Sequence, residues 1–457
     1  MQSDPAQRVG RDRWARRGPM ASDTFGGPSG PALPAKLSLS PRRPTLRSRA
    51  GRWAEFSRKL FAPLAAVALF AGCVSLPPAP PVALDHISPE QTARARRNVE
   101  VFKAVWRLVA GNQFDPKLNG VDWPAAGVKF GAEAAAAVDD QALYASLNAM
   151  LELLNDSHTH ALMPVQTEER RTQLRVRTGF NLRRFDGRWA VGEVVPGSPA
   201  EAAGVQPGWL VLSRNGEKLG ERNEFRPREG EVAQWEFLDA QDRPVSLALV
   251  ARPISSKSRQ IVRELADGFV YLRFDAFDTT DRRWLGHQLN LRREAPGVVI
   301  DLRHNSGGGT FSMGITIGEF FDHPVDCGVF ITRGGRRSEK NSWQLGSANF
   351  RGRVAVLVDE TTASAGEIFS AALQDHGRAT IVGRKTAGAV LASWFFGLPG
   401  GGELQLSLRD YVTPKGRRLE GHGVEPEVAV KSTLADLRAS RDPDLDAALL
   451  VLRGVVR

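Results

Sequence analysis

Residues 354–383 read VAVLVDETTASAGEIFSAALQDHGRATIVG, and their pattern decides the fold. Val354 to Val358 is an unbroken apolar run, too short for a helix and Val-rich, as a strand buried on both faces should be. Polar residues Asp359 to Thr362 break it. A helical stretch over 363–375 follows, and ATIVG (379–383) is a second buried strand. Strand, helix and strand in close succession make a parallel crossover unit. The alternation continues outward: FVYLRF (269–274) and GVVIDLR (297–303) are strands of the same kind. Residues 256–430 are therefore expected to form an α/β core on a largely parallel sheet.

On its N-terminal side, residues 172–253 change to short alternating runs (LRVRTGFNLRRF, WAVGEVV, VAQWEFL, VSLALVA) separated by Gly, Pro and Asp turns. The segment Gly197–Gly208 (GSPAEAAGVQPG) resembles the part of a PDZ domain where a short helix leads into a strand. That resemblance implies a PDZ-like β domain over 168–255. Its carboxylate-binding loop would be Thr178, Gly179, Phe180 and Asn181, and its ligand an extended peptide added to a sheet edge. Residues 88–165 read as a helical domain. Val99, Phe102, Val105, Trp106 and Val109 recur at helical spacing, and Leu147, Met150, Leu151 and Leu154 share one face. The domain ends in a polar loop, Asn155-Asp156-Ser157-His158-Thr159-His160. Residues 431–457 form a helical tail. The whole chain is expected to be an α+β multidomain protein.

Composition narrows the function. Residues 1–60 hold 13 Lys and Arg against 4 Asp and Glu, whereas the rest holds 48 against 47. The folded part is nearly neutral, so bulk charge gives nucleic-acid binding no support. Two cysteines, Cys73 and Cys327, are too few for a disulfide framework or a multi-cysteine zinc ribbon. The scattered histidines suggest no metal site. Residues 1–73 are read as a leader. Its apolar run Leu60–Gly72 has the length of a signal-peptide core and ends in Phe70-Ala71-Gly72-Cys73. These residues resemble the lipobox of bacterial lipoproteins, which implies lipidation of Cys73. Phe70 departs from that pattern, where an aliphatic residue is usual. A Pro-rich tether over 74–87 follows. The leader is longer than a normal signal, so translation is expected to start downstream of Met1, at Met20 or a non-Met codon.

Two segments carry chemistry. A serine at the strand-to-helix turn of Thr361–Phe369 lies near free backbone amides and a positive helix end, which suits a nucleophile whose intermediate is an oxyanion. The pair Ser364 and Glu367 equally fits a capping box with no further role. Asp301–Gly309 (DLRHNSGGG) is a buried strand ending in a Gly-rich loop that can present N–H groups to an anion. It lacks the Lys-Ser/Thr ending of a phosphate loop.

Together with Tyr411-x-Thr413-Pro414-x-Gly416 and Gly423-Val424-x-Pro426, these segments resemble peptidase family S41, the tail-specific and C-terminal-processing proteases. The resemblance runs from about residue 95 to the end. It implies a ClpP/crotonase-like core, Ser364 as nucleophile, and an oxyanion hole from the amides of Ala365 and of Gly307 or Gly308. The family's Ser/Lys branch carries its base at a position occupied here by Ala389, and Lys385 reads as a solvated charge. The loop 154–159 instead looks like the histidine loop of the tricorn-core branch. That likeness implies His158 as base, Glu420 as its orienting carboxylate, and Ser157 holding that carboxylate or a bridging water. A hydroxyl needs a base that titrates near neutrality, and the imidazole needs an acceptor. A carboxylate partner should raise the His158 pKa. Asp156, Glu425 and Glu427 are rival carboxylates.

The expected function is a serine peptidase acting on extracytoplasmic proteins or peptides in a bacterial cell envelope, with the substrate C-terminus a candidate point of recognition. It is anchored to the membrane through Cys73 and needs no cofactor. The alternatives are a catalytically inactive binding protein on the S41 fold, as among retinoid-binding relatives, and a PDZ-based peptide-sensing scaffold.

Overall fold

The structure, a computed structural model, describes residues 77–85, 88–220, 225–345 and 348–456. The expected lipidation site, Cys73, lies outside them. Among the described residues no helix is long and apolar enough to cross a membrane.

The apolar runs build one six-stranded sheet. Its order is Val428–Ala429, Thr380–Gly383, Arg353–Val358, Gly297–Asp301, Val270–Phe274 and Gln260–Glu264. All neighbours are parallel except the last pair. Both faces are covered, which is why these strands are continuously apolar. On one side Leu285, Met313, Ile317, Phe369 and Leu373 cover it from the helices Thr279–Leu291, Thr310–Gly318 and Ala365–Asp375. On the other, Ala448, Val451 and Leu452 of the C-terminal helix Pro443–Arg453 pack on Val299, Ala355 and Leu357.

A second, antiparallel sheet is absent from the sequence reading. The long strand Glu403–Val412 pairs with His160–Leu162, Ala392–Gly397 and Asp326–Thr332, and the last of these pairs with Arg337–Asn341. Its members are short or amphipathic and far apart in sequence, so no local pattern announces it. It is nonetheless what docks the N-terminal helices Thr92–Asn112, Trp123–Ala136 and Asp140–Glu152. Asp122 and Asp139 start the second and third of these by accepting the N–H of Ala125 and Ala142. Their core (Phe102, Val105, Leu147, Met150) includes Leu398, Leu404 and Leu406 from the sheet. The loop 153–159 is thus held at one end by a packed helix and at the other by the pairing of Ala161 with Leu404.

Residues 174–255 form a five-stranded antiparallel sheet in the order Phe180–Phe185, Arg188–Val194, Leu210–Arg214, Val232–Leu238 and Pro244–Val250, with a short helix, Pro199–Ala202. The run 174–185 divides at Gly179, whose φ of +103° only glycine adopts easily. A Cβ there would also collide with the Ser198 side chain. The piece Leu174–Arg177 pairs separately with Arg252–Ser255. Glu193 ties this domain to the core through Arg259 (2.6 Å) and Arg273 (3.2 Å).

Leu404 is fully buried between the helices and the sheet. Leu404→Ala should cost about 2–5 kcal/mol, the usual range for emptying such a site. Thermal melting should show the loss, and amide exchange should rise in the 153–160 loop. A wild-type melting temperature would show that this contact does not hold the loop.

Candidate active site

Strand Arg353–Val358 ends at Asp359, whose Oδ1 accepts the Thr361 N–H (3.0 Å) and hydroxyl (2.7 Å). The chain then reverses at Ser364, with φ +54° and ψ −120°. That conformation is costly for any residue with a Cβ, by roughly 1–3 kcal/mol, and persists only where neighbours enforce it. The enforcing bonds are identifiable. Ser364 N–H donates to Ala389 O (2.7 Å) and to Glu367 Oε2 (3.2 Å). Glu367 is itself fully buried. It also accepts Thr386 Oγ1 (2.5 Å), Gly388 N (2.8 Å) and Ala389 N (2.7 Å). Burial pushes its pKa up against those bonds. Glu367 therefore caps the helix and also pins a second loop, so the capping and functional readings of this turn coexist.

The Gly-rich loop lies against this serine. A Cβ on Gly307, at φ +106°, would stand 2.5 Å from Ser364 Cβ and 3.0 Å from Ala365 N. Buried Asn305 shapes the loop: its Oδ1 accepts Gly307 N (2.9 Å), its Nδ2 donates to Phe274 O (3.1 Å), and its carbonyl accepts Ala363 N (3.1 Å). The Gly307 N–H is thus occupied. Among the described residues the N–H groups of Gly308 and Ala365 have no hydrogen-bond partner. These two are the amides left to face an anion.

The histidine loop is built around Asp156. Asp156 accepts His158 N (3.0 Å), Thr159 N and Thr159 Oγ1 (both 2.7 Å), and Ser407 Oγ (2.9 Å). It is committed to the loop's shape. Ser157 Oγ sits 2.7 Å from His158 Nδ1 and donates to Glu420 Oε2 at 3.1 Å. A hydroxyl has one hydrogen. With that hydrogen given to Glu420, Nδ1 must be the donor to Ser157, and Nε2 keeps its lone pair. Glu420, buried with 7% exposure, also accepts Ser157 N (3.1 Å) and Val390 N (2.9 Å). Val390 follows Ala389, whose carbonyl holds Ser364. Glu420, His158 and Ser364 are therefore joined through one dipeptide, although they come from three distant parts of the chain.

The expected rise in the His158 pKa is not found. Burial pushes it down to about 4, only partly opposed by the charge of Asp156, and His160 lowers it further. The reason is geometric: Glu420 reaches the ring through Ser157 rather than directly.

Of the rival carboxylates, Glu425 is exposed and paired with Lys385 (2.8 Å), itself half exposed. Glu427 accepts Ile381 N (2.7 Å). In the β domain, Gly179 O accepts Val195 N (2.8 Å), Phe180 packs edge-on to Trp235 at 4.9 Å, and Asn181 pairs with Glu193 across the strands. Phe180 and Asn181 line a cavity of about 360 Å³ with Trp189, Phe225, Trp235 and Arg214. A polar cavity of about 750 Å³ is lined by Asn181 and Glu193 together with His304 and Ser306 of the Gly-rich loop. Sequence reasoning missed Asn305, Thr386 and the Val390 amide, and it gave Glu367 only a capping role. Asn305, two residues before a loop glycine, was the one legible signal, since Asn side chains habitually bond a backbone N–H two residues on.

The family model for peptidase family S41 matches residues 268–430. A carboxyl-terminal-processing protease of Synechocystis sp. is 27% identical over 378 residues, covering 77% of this chain and 86% of that protein. Carboxyl-terminal-processing peptidase 3, chloroplastic, of Arabidopsis thaliana is 27% identical, covering 75% and 72%. Among solved structures, the photosystem II D1 C-terminal processing protease superposes with a TM-score of 0.54 at 21% identity, over 78% of this chain and 97% of that one. A putative S41 protease from Bacteroides fragilis gives 0.53 at 16%, over 78% and 98%. The fold, the turn at Ser364 and the family match agree in making residues 268–430 a peptidase family S41 segment.

Proposed function

We propose that Ser364 is the nucleophile and His158 the general base of this serine peptidase. The observation that carries the reading is the hydrogen-bond chain Glu420–Ser157–His158, tied through Val390 and Ala389 to the Ser364 backbone. Ser364 Oγ attacks the peptide carbonyl carbon and passes its proton to His158 Nε2. The Nδ1–H is held by Ser157, and the imidazolium charge is offset by Glu420 one hydroxyl away. The carbonyl oxygen, now an oxyanion, accepts from Ala365 N–H and Gly308 N–H at the positive end of the helix Ala365–Asp375. His158 then protonates the leaving amine, and water attacks the acyl-enzyme by the same route.

The β domain is proposed to be a PDZ domain that presents substrate. Strand Phe180–Phe185 is the edge of its sheet and borders the aromatic cavity, the arrangement needed for adding a peptide strand. The names of the Synechocystis and Arabidopsis relatives suggest processing at carboxyl ends. The N-terminal segment is proposed to anchor the protein by lipid at Cys73 on the extracytoplasmic face of a bacterial membrane.

A substitution series on one peptide substrate tests the assignment. Ser364→Ala and His158→Ala should abolish hydrolysis, and Glu420→Gln should lower kcat by about 10²–10⁴ (an Asp-to-Asn change in a Ser-His-Asp enzyme costs about 10⁴). The introduced amide nitrogen would face a backbone N–H whichever way it turned. Lys385→Ala should change kcat less than about twofold, as for an exposed ion pair. Full activity of Glu420→Gln would remove Glu420 from the mechanism. The pH profile follows from the neutral ring being the active form. With the pKa lowered to about 4, kcat/KM should rise with pH through that value and be level about two units above it. Half-maximal activity near the ordinary histidine value of about 6.5 would mean that His158 is not desolvated.

Peptides with a free C-terminal carboxylate should be cut faster than their amidated counterparts, by a KM effect. Equal rates would leave the β domain without a role in C-terminal recognition. Cys73→Ala should move the protein from the membrane to the soluble fraction, and unchanged membrane association would assign the anchor elsewhere.

A further inference from the structure

The helix Pro443–Arg453 lies beyond the matched family segment, yet its Asp444 is buried at the back of the catalytic loops. Asp444 Oδ2 accepts Arg303 Nη1 (3.0 Å), and its two oxygens accept Arg384 Nη1 (2.9 and 3.0 Å). Each arginine leads to a different half of the site. Arg303 also grips Asp301 and Asp442, and it stands two residues before Asn305, which holds Gly307. Arg384 bonds Glu360 (3.1 Å) and faces Asp359 (3.6 Å), the two residues that open the turn to Ser364. The halves are also stitched directly, Thr362 Oγ1 donating to Leu302 O (2.9 Å).

We propose that Asp444 is a positioning residue for this reaction: one carboxylate from the C-terminal helix clamps the oxyanion loop and the nucleophile turn in register. The inference rests on the Ser364 mechanism for its effect on rate, but not for its effect on the loops. The reason is one of charge. Arg303 has Asp301 and Asp442 as well, but Arg384 meets its best-aligned buried acceptor in Asp444. Two guanidinium groups brought this close repel unless a carboxylate lies between them. Without Asp444, the Arg384 side should relax toward solvent and draw residues 359–362 away from 302–305. A shift of about 1 Å between nucleophile and oxyanion donors is enough to cost on the order of 10² in rate.

Asp444→Asn keeps the volume and leaves the helix cap at Asp442 intact. In this variant, amide exchange of residues 303–309 and 359–366 should accelerate at least about tenfold while residues 92–112 are unchanged. The kcat should fall about tenfold to a hundredfold, with peptide affinity measured in a Ser364→Ala background unchanged, and Asp444→Glu should recover most of the loss. Faster exchange confined to residues 443–453, or wild-type kcat with quiet loops, would overturn the proposal and leave Asp444 an ordinary stabilising residue. If Asp444→Asn does not fold, Arg384→Gln severs the same clamp from the other side. It should loosen 359–366 and lower kcat, and failure to do both counts against the proposal equally. If wild type shows no Ser364-dependent hydrolysis, the mechanism fails, and the exchange measurements still decide whether Asp444 positions the loops.

Discussion

The site depends on the carboxylate of Glu367. It accepts hydrogen bonds from the Ser364 N–H, the Thr386 hydroxyl and the N–H groups of Gly388 and Ala389, with no exposure to solvent. Burying a carboxylate is unfavourable unless it is fully bonded, and these charge-assisted donors supply that here. The same bonds force Ser364 into a backbone conformation it would otherwise leave. They also fix the 386–390 segment next to it, and that segment receives Glu420. Asp156 does for the histidine loop what Glu367 does for the nucleophile turn. Loops without regular structure must satisfy their amides somehow. In this protein the carboxylates of Glu367 and Asp156 do it, and each also fixes a residue of the candidate site.

The histidine's low pKa follows from how those carboxylates are shared out. Asp156 is occupied by loop amides, and Glu420 is kept from the ring by Ser157. Desolvation therefore outweighs charge attraction, and the imidazole is neutral at pH 7. A neutral ring is available as a base, although a weaker one than a ring paired directly with a carboxylate. In the proposed mechanism the ring would become charged only in the transition state, when an oxyanion forms as its counterpart. Charge would then be favoured where it forms and disfavoured at rest, the differential stabilisation that catalysis requires.

The readable parts of the sequence were those with local causes. Strands 270–274, 297–301 and 353–358 are continuously apolar because both faces are covered, and Gly307 and Ser364 stand at turns that need special backbone. The unread parts have nonlocal causes. The sheet around Glu403–Val412 is assembled from segments at opposite ends of the folded chain, as His160 pairs with Gln405. Its three-residue strand His160–Leu162 has no pattern of its own. Asp156 and Glu420 could be ranked by family likeness but not by residue chemistry, since both are acidic residues in polar loops. Only the donors gathered around Asp156 show that it has no oxygen to spare for a histidine ring.

The same geometry bears on Ala389 under the proposed mechanism. Its N–H is bound to Glu367 and its carbonyl to Ser364, so a side chain at 389 starts next to the Ser364 backbone. A lysine there would act as a base only if neutral, which requires an apolar setting without a nearby carboxylate. Glu420 Oε2, bonded to the adjacent Val390 N–H, is such a carboxylate, and it would hold the lysine protonated. A lysine base and a Glu420-supported histidine are therefore competing solutions on one scaffold. The carboxylate that would complete the proposed histidine relay would also disable a lysine at 389.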